Sequence, residues 1–213
     1  MDRQAHWDGI HATKARDAVS WYTPHLARSL TLIEKLAGAR RSSIIDVGGG
    51  QSTLVDDLLG LGYSNITVLD IAQSAVEASM ARLGERAQAV RWLAADVTKC
   101  ELEPAAFDLW HDRAVFHFLT DAADRAAYAQ QVHRAVKPGG HVIISAFAKE
   151  GPTRCSGLDV VRYDAASLVE ALGAGFKLFG SASESHHTPF GTTQEFLYCW
   201  FRFDPEMGRG RIG

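Results

Sequence analysis

The residues with the most chemical content stand at the ends of short apolar runs. Asp46 closes "SIID" and leads through Val47 into Gly48, Gly49 and Gly50; Asp70 closes "ITVLD", and Asp96 with Val97 closes "WLAADV". A glycine turn leaving a strand exposes backbone N–H groups and lets a ligand approach the main chain. A carboxylate about twenty residues farther on can accept both hydroxyls of a ribose. Asp96 offers a polar edge and Val97 an apolar face, a pairing suited to the amine and ring plane of adenine. Two phosphate readings fail on named positions. Thr53 stands where the dinucleotide fingerprint needs its third glycine, and the turn holds no lysine for a triphosphate loop.

A second set of reactive side chains lies downstream. In open α/β sheets ligands sit beyond the carboxyl ends of the strands, which selects "HDRAVFHF", "FAKEGPTRCSG" and "HHTPFGT". Within these, Asp112, His117, His186 and His187 are candidate bases, because they can take a proton during nucleophilic attack. Arg113 adjoins Asp112, and either can pair elsewhere or cap the next helix. Cys155, with His186 or His187, is placed to touch a soft acceptor. Near the start, Trp7, Lys14, Trp21 and Tyr22 make an aromatic and basic segment, and an aromatic face attracts a cation.

These residues need elements to position them. Thr23 as N-cap, Pro24 at the first helical position and Leu26, Leu30, Ile33 and Leu36 at helical spacing predict a helix that stops at Gly38. Beyond it strands and helices alternate: strands over 44–47, 66–70, 89–94, 107–111 and 141–147, and helices over 52–59, 74–83 and 121–136. Such alternation predicts a parallel sheet with right-handed crossovers. Asp164 caps a last helix, and runs over 176–185 and 193–203 predict an antiparallel hairpin. The chain divides into an N-terminal helical segment (1–38), a main α/β domain (39–204) and a frayed tail (205–213).

Bulk properties fit one compact domain: 213 residues, 46% hydrophobic, net charge -3. That charge gives no general attraction to nucleic acid or anionic membrane, and a small, weakly charged partner fits better. Cys100, Cys155 and Cys199 share no CxxC spacing, so neither a disulfide framework nor a zinc finger is indicated. No apolar leader or membrane-spanning run is present, so a cytoplasmic protein is expected.

The ordered set "IIDVGGG", "VLD", "AADV", "FDLWHDR" and "VKPGGHVIIS" resembles the class I S-adenosylmethionine-dependent methyltransferases over about residues 40 to 200. Within them the chain is similar to small bacterial enzymes that open with a "WD…K…SWY" segment. These are distantly similar to thiopurine and thiol methyltransferases and to elongation-factor lysine methyltransferases. The resemblance implies a Rossmann-like α/β fold: a seven-stranded sheet in the order 3-2-1-4-5-7-6, mostly parallel with an antiparallel C-terminal strand, and helices on both faces. It implies S-adenosylmethionine as cofactor and S-adenosylhomocysteine as product, and an N-terminal segment, Trp21 included, that closes over them. Gly48 and Gly50 would approach the methionine, with Asp46 fixing the turn and recruiting the amino group. Asp70 would hold the ribose, Ile71 would cover the adenine, Asp96 and Val97 would take its edge and plane, and His111 would sit by the sulfonium. Ser52 departs from the family's third glycine position.

Absences narrow the acceptor. "HDRA" lacks the N-P-P-[YF] signature of DNA-adenine and glutamine methylation, and "SAFAKE" lacks the Asp-Asn pair of a catechol-type magnesium site. No metal is expected, and the three cysteines do not match an arsenite site. Methylation of a small molecule at S, N or O is the first expectation. A protein-lysine methyltransferase is the second, although "HDRA" replaces that group's D-K-G-T. A non-catalytic cofactor binder and a nicotinamide dehydrogenase are remoter.

Overall fold

The computed structural model describes residues 2–207. The sheet strands are β1 (Ile44–Val47), β2 (Ile66–Asp70), β3 (Val90–Ala94), β4 (Phe107–Arg113), β5 (Val136–Phe147), β6 (Phe176–His187) and β7 (Thr193–Phe203). Their spatial order is β3-β2-β1-β4-β5-β7-β6. Strands β1 to β5 pair in parallel, β7 runs antiparallel to both neighbours, and β6 therefore points with the first five. The expected order and mixed direction are those observed. A short ribbon, Arg154–Cys155 against Leu158–Asp159, lies outside this sheet.

Six helices accompany the sheet among the described residues: α1 (Arg3–Thr13), α2 (Ala27–Leu36), α3 (Leu54–Gly60), α4 (Gln73–Leu83), α5 (Ala122–Ala135) and α6 (Ala165–Leu172). Every residue of β1 and β2 is buried, as a central parallel strand covered on both faces requires. Side-chain alternation divides β1 and β4 cleanly. Ile45, Val47 and Trp110 pack with Tyr128, Val132 and Leu168 of α5 and α6. Ile44 and Leu109 pack on the other face with Leu32, Ile33, Leu54 and Leu58 of α2 and α3. That same alternation sends Asp46, His111 and Arg113 to the α2 face and Asp112 to the α5 face.

One predicted boundary moves. Helix α2 begins at Ala27, not Thr23, because Thr23 Oγ1 donates to the His25 carbonyl (3.2 Å) and the Pro24 carbonyl accepts from Thr53 Oγ1 (2.6 Å). The would-be cap is thus part of a strap against the glycine turn. Strands β4, β5 and β6 run longer than expected, while the Asp164 cap holds, its carboxylate accepting from Ser167 N at 2.7 Å. Of the predicted tail, residues 205–207 form a turn and 208–213 lie outside the described residues. Among the described residues, no helix is long and apolar enough to cross a membrane.

Candidate active site

The carboxyl ends of β1 to β4 open into one cavity, and every nucleoside-site residue expected from the sequence lines it: Trp21, Asp46, Gly48, Gly50, Asp70, Ile71, Asp96, Val97 and His111. Gly48 and Gly50 take positive φ angles of 71° and 36°. Both positions are crowded. A Cβ on Gly48 would overlap Val115 Cγ2, and one on Gly50 would lie 2.7 Å from Asp70 Oδ2. Helix α4 braces the turn from behind, with Ser79 Oγ donating to the Gly50 carbonyl (2.6 Å) and Arg82 to the carbonyls of Gln51 and Ser52 (3.2 and 2.8 Å).

The carboxylates differ in state. Asp70 is buried, and desolvation raises its pKa to about 7 despite the bond from Ala72 N–H; nearby Asp46 and Asp8 add to the rise. Asp96 is pushed up by burial but ends below the usual range, because Thr98 donates to it twice and Arg3 lies beside it. His111 has both ring nitrogens engaged, Nδ1 with Asp46 (2.7 Å) and Nε2 with Ser29 Oγ (2.9 Å); Ser29 continues to Tyr198 OH at 3.2 Å. Its ring thereby ties the Asp46 carboxylate to Ser29 while itself lining the cavity.

The N-terminal segment crosses above this cavity. Arg3 reaches Asp96 (3.3 Å) and Asp124 (3.1 Å), and Asp8 accepts from Ser74 N and Oγ at 3.0 and 2.8 Å. Trp7 stands edge-on to Phe118 and Trp21, with ring centroids 4.9 and 5.8 Å away. Tyr22 lines the cavity too, whereas Lys14 is exposed and outside the lining.

The proposed bases fare differently. Asp112 does not line the cavity, because strand alternation turns it into the core. There it accepts from Tyr128 OH (2.6 Å) and Val115 N–H (2.9 Å), and burial lifts its pKa to about 6. Tyr128→Phe should therefore strand a buried carboxylate oxygen and cost about 1–3 kcal/mol in denaturant unfolding. His186 also lies outside the lining. Its Nε2 holds the Ser20 carbonyl at 2.8 Å, so it anchors the N-terminal segment. His187 is exposed.

His117 does line the cavity and is fully buried, with one ring nitrogen already engaged. Its Nδ1 faces the Phe147 backbone N–H (3.2 Å), which can only donate, so the neutral ring carries its proton on Nε2. Burial and then the Arg113 charge push its pKa to about 3. Burial also raises the Cys155 pKa, which keeps this cavity residue a thiol. Among the lining residues that escaped the sequence reading are Phe196, Arg3, His11 and Arg16. Phe196 belongs to the inward register of β7, where Gln194, Phe196 and Tyr198 alternate to one side, and attention to loops alone passes over it.

The family described as "Methyltransferase domain" matches residues 45–144, the stretch that builds the glycine turn, Asp70, Asp96 and β4. That stretch matches a methyltransferase domain, and its glycine turn, Asp70 and Asp96 are those of the S-adenosylmethionine-dependent enzymes it resembles. The eEF1A lysine and N-terminal methyltransferases of Bos taurus and Mus musculus are 26% and 24% identical to this chain over 139 residues. The match takes in 65% of this chain but 19% of theirs, so the chain spans about a fifth of these relatives. A structure from work on the conversion of a disulfide bond into a thioacetal group during echinomycin biosynthesis is 19% identical, with a TM-score of 0.76 over 94% of this chain and 91% of that one. The 1,6-didemethyltoxoflavin-N1-methyltransferase of Burkholderia thailandensis, solved with 1,6-didemethyltoxoflavin and S-adenosylhomocysteine, is 23% identical, with a TM-score of 0.68 over 84% and 77%.

The cavity fits S-adenosylmethionine. Glycines whose Cβ atoms would fill the turn, a buried carboxylate at the tip of β2 and an acid beside Val97 suit methionine, ribose and adenine in turn.

Proposed function

We propose that the protein is an S-adenosylmethionine-dependent methyltransferase whose acceptor is a small molecule, attacking through S, N or O in an in-line displacement. When bound, S-adenosylmethionine supplies a methyl carbon already activated by a sulfonium. The protein's task is then alignment, which contributes up to about 7–11 kcal/mol in favourable cases. In this reading Gly48, Gly50, Asp46, Asp70, Ile71, Asp96 and Val97 hold the cofactor. Trp7 and Trp21, from segment 1–38, cover it above the 39–204 domain. Asp112 and His186 act in the scaffold, and His117 donates a hydrogen bond instead of accepting a proton.

The observation that carries the reading is the roof. The end of the cavity nearest β4, β5 and β7 is walled by Phe118, Phe147 and Phe196 beneath Trp7 and Trp21. Such an aromatic recess, roofed by the chain's own segment, suits a detached small molecule that binds before transfer. The toxoflavin-precursor enzyme, alike over most of both chains, supports the same direction. Protein-lysine methylation is the second reading, favoured by the eEF1A methyltransferase relatives.

Incubating the enzyme with methyl-labelled S-adenosylmethionine and a fractionated lysate separates the two. Label is expected in the small-molecule fraction. Label confined to protein would establish the second reading.

A further inference from the structure

Arg113 and His117 present a set of unused donors at the aromatic end of the cavity. Arg113 is 9% exposed and lines the cavity; its Nη1 donates to the Trp21 carbonyl at 3.2 Å, and its guanidinium lies 4.5 Å from the Phe196 ring centroid. Its Nε and Nη2 are buried and have no hydrogen-bond partner among the described residues. The same holds for His117 Nε2, whose tautomer is fixed as a donor by the Phe147 N–H. His117 shares the Phe196 neighbourhood, its ring centroid 6.4 Å from that ring.

Three buried donor nitrogens without acceptors, two of them on a cation, are costly to desolvate and rare in folded proteins. The fork of a guanidinium matches a planar oxyanion. The cavity's charges are also divided. Asp46, Asp70 and Asp96 stand at the tips of β1 to β3, while the lining contributed by β4, β5, β7 and the Cys155 ribbon carries Arg113 and no carboxylate. An ammonium entering that end would meet a positive charge and no counter-ion.

We infer that Arg113 and His117 form an anion-binding subsite, and that the methyl acceptor is a small apolar, ring-bearing molecule carrying one carboxylate-like or similarly anionic group. The inference rests on the small-molecule reading and narrows it. Phe118, Phe147 and Phe196 take the apolar body, and the two Arg113 donors with His117 Nε2 take the charge. No side chain at this end is placed to remove a proton, so an attacking atom there is already ionised or needs no deprotonation.

The test uses the intact protein saturated with S-adenosylhomocysteine and three probes of one shape: phenylacetate, phenylacetamide and phenethylamine. Calorimetric titration is expected to show phenylacetate binding at least tenfold more tightly than either of the others. Arg113→Met should abolish that preference, with Arg113→Lys between; thermal unfolding of both variants shows whether they remain folded. The comparison of probes on unaltered protein stands even if they do not. Equal affinities, or a preference for the amine, alongside normal S-adenosylhomocysteine binding would overturn the subsite and leave the methyl-transfer reading intact. Phenylacetate preference in a protein that binds no S-adenosylhomocysteine would keep the subsite and overturn that reading.

Discussion

Gly48→Ala is expected to weaken S-adenosylhomocysteine binding by tenfold to a hundredfold and to lower the unfolding midpoint by several degrees. Two costs combine. The residue holds φ at 71°, a left-handed conformation that costs an L side chain about 1–2 kcal/mol. The added Cβ would also overlap Val115 Cγ2, and such overpacking costs about 1–3 kcal/mol. Relief requires the turn to move, because Gly48 N–H is held by the Leu69 carbonyl at 2.7 Å and α4 braces the carbonyls that follow. Moving it displaces the backbone that the cofactor approaches. Gly38→Ala is the matched control, with φ at 74° but nothing within 4 Å of its Cβ, and should lose about 1 kcal/mol of stability with no change in affinity. Calorimetry and thermal unfolding on both variants check this. Gly48→Ala protein that binds as tightly as wild type would place the cofactor elsewhere.

The wall of the cavity expected to hold the cofactor was readable from sequence because most of its residues stand at or just beyond the carboxyl end of a strand. A run such as "ITVLD" is at once the signal for a buried parallel strand and the address of the carboxylate at its tip. The acceptor half obeys a different rule. Asp112, His117 and His186 are chemically capable, but what each does depends on where its ring or carboxylate points after folding. One of the three was legible. In "FDLWHDR" the alternation that buries Leu109 with α2 and Trp110 with α5 also assigns His111 and Arg113 to the cavity side and Asp112 to the core. His117 and His186 offered no such clue, since their partners are the Phe147 amide and the Ser20 carbonyl, 30 and 166 residues away. Backbone partners at that range carry no sequence signature. The helix misplaced at Thr23 fails for the same reason, its hydroxyl and the next carbonyl being drawn into contacts at the glycine turn.

Asp70 gives the second large effect, a proton released when cofactor binds. Burial raises this carboxyl from 3.8 to about 7, and Asp112 rises to about 6 for the same reason. Between about pH 4 and pH 7 the folded chain therefore holds protons that the unfolded chain has lost. The stability they contribute is fully present below the unfolded pKa and is lost as pH rises through 6 and 7. For Asp70, about three pH units correspond to a contribution on the order of 4 kcal/mol. The lowered pKa values of Asp96 and Asp108 act in the opposite sense, but below the ordinary carboxylate range, so the two windows separate. Ribose hydroxyls donating to Asp70 favour its charged form. Titrating S-adenosylhomocysteine near pH 6 should then expel up to about one proton, with almost none above about pH 8. Binding enthalpies measured in buffers of different ionisation heat give the number directly. Asp70→Asn should flatten both the buffer dependence and the fall in stability between pH 4 and 7, leaving the smaller Asp112 contribution. Tight binding at pH 6 with a buffer-independent enthalpy would mean that Asp70 is already ionised in the free protein or that it does not hold the ribose; the pH dependence of stability in Asp70→Asn tells the two apart.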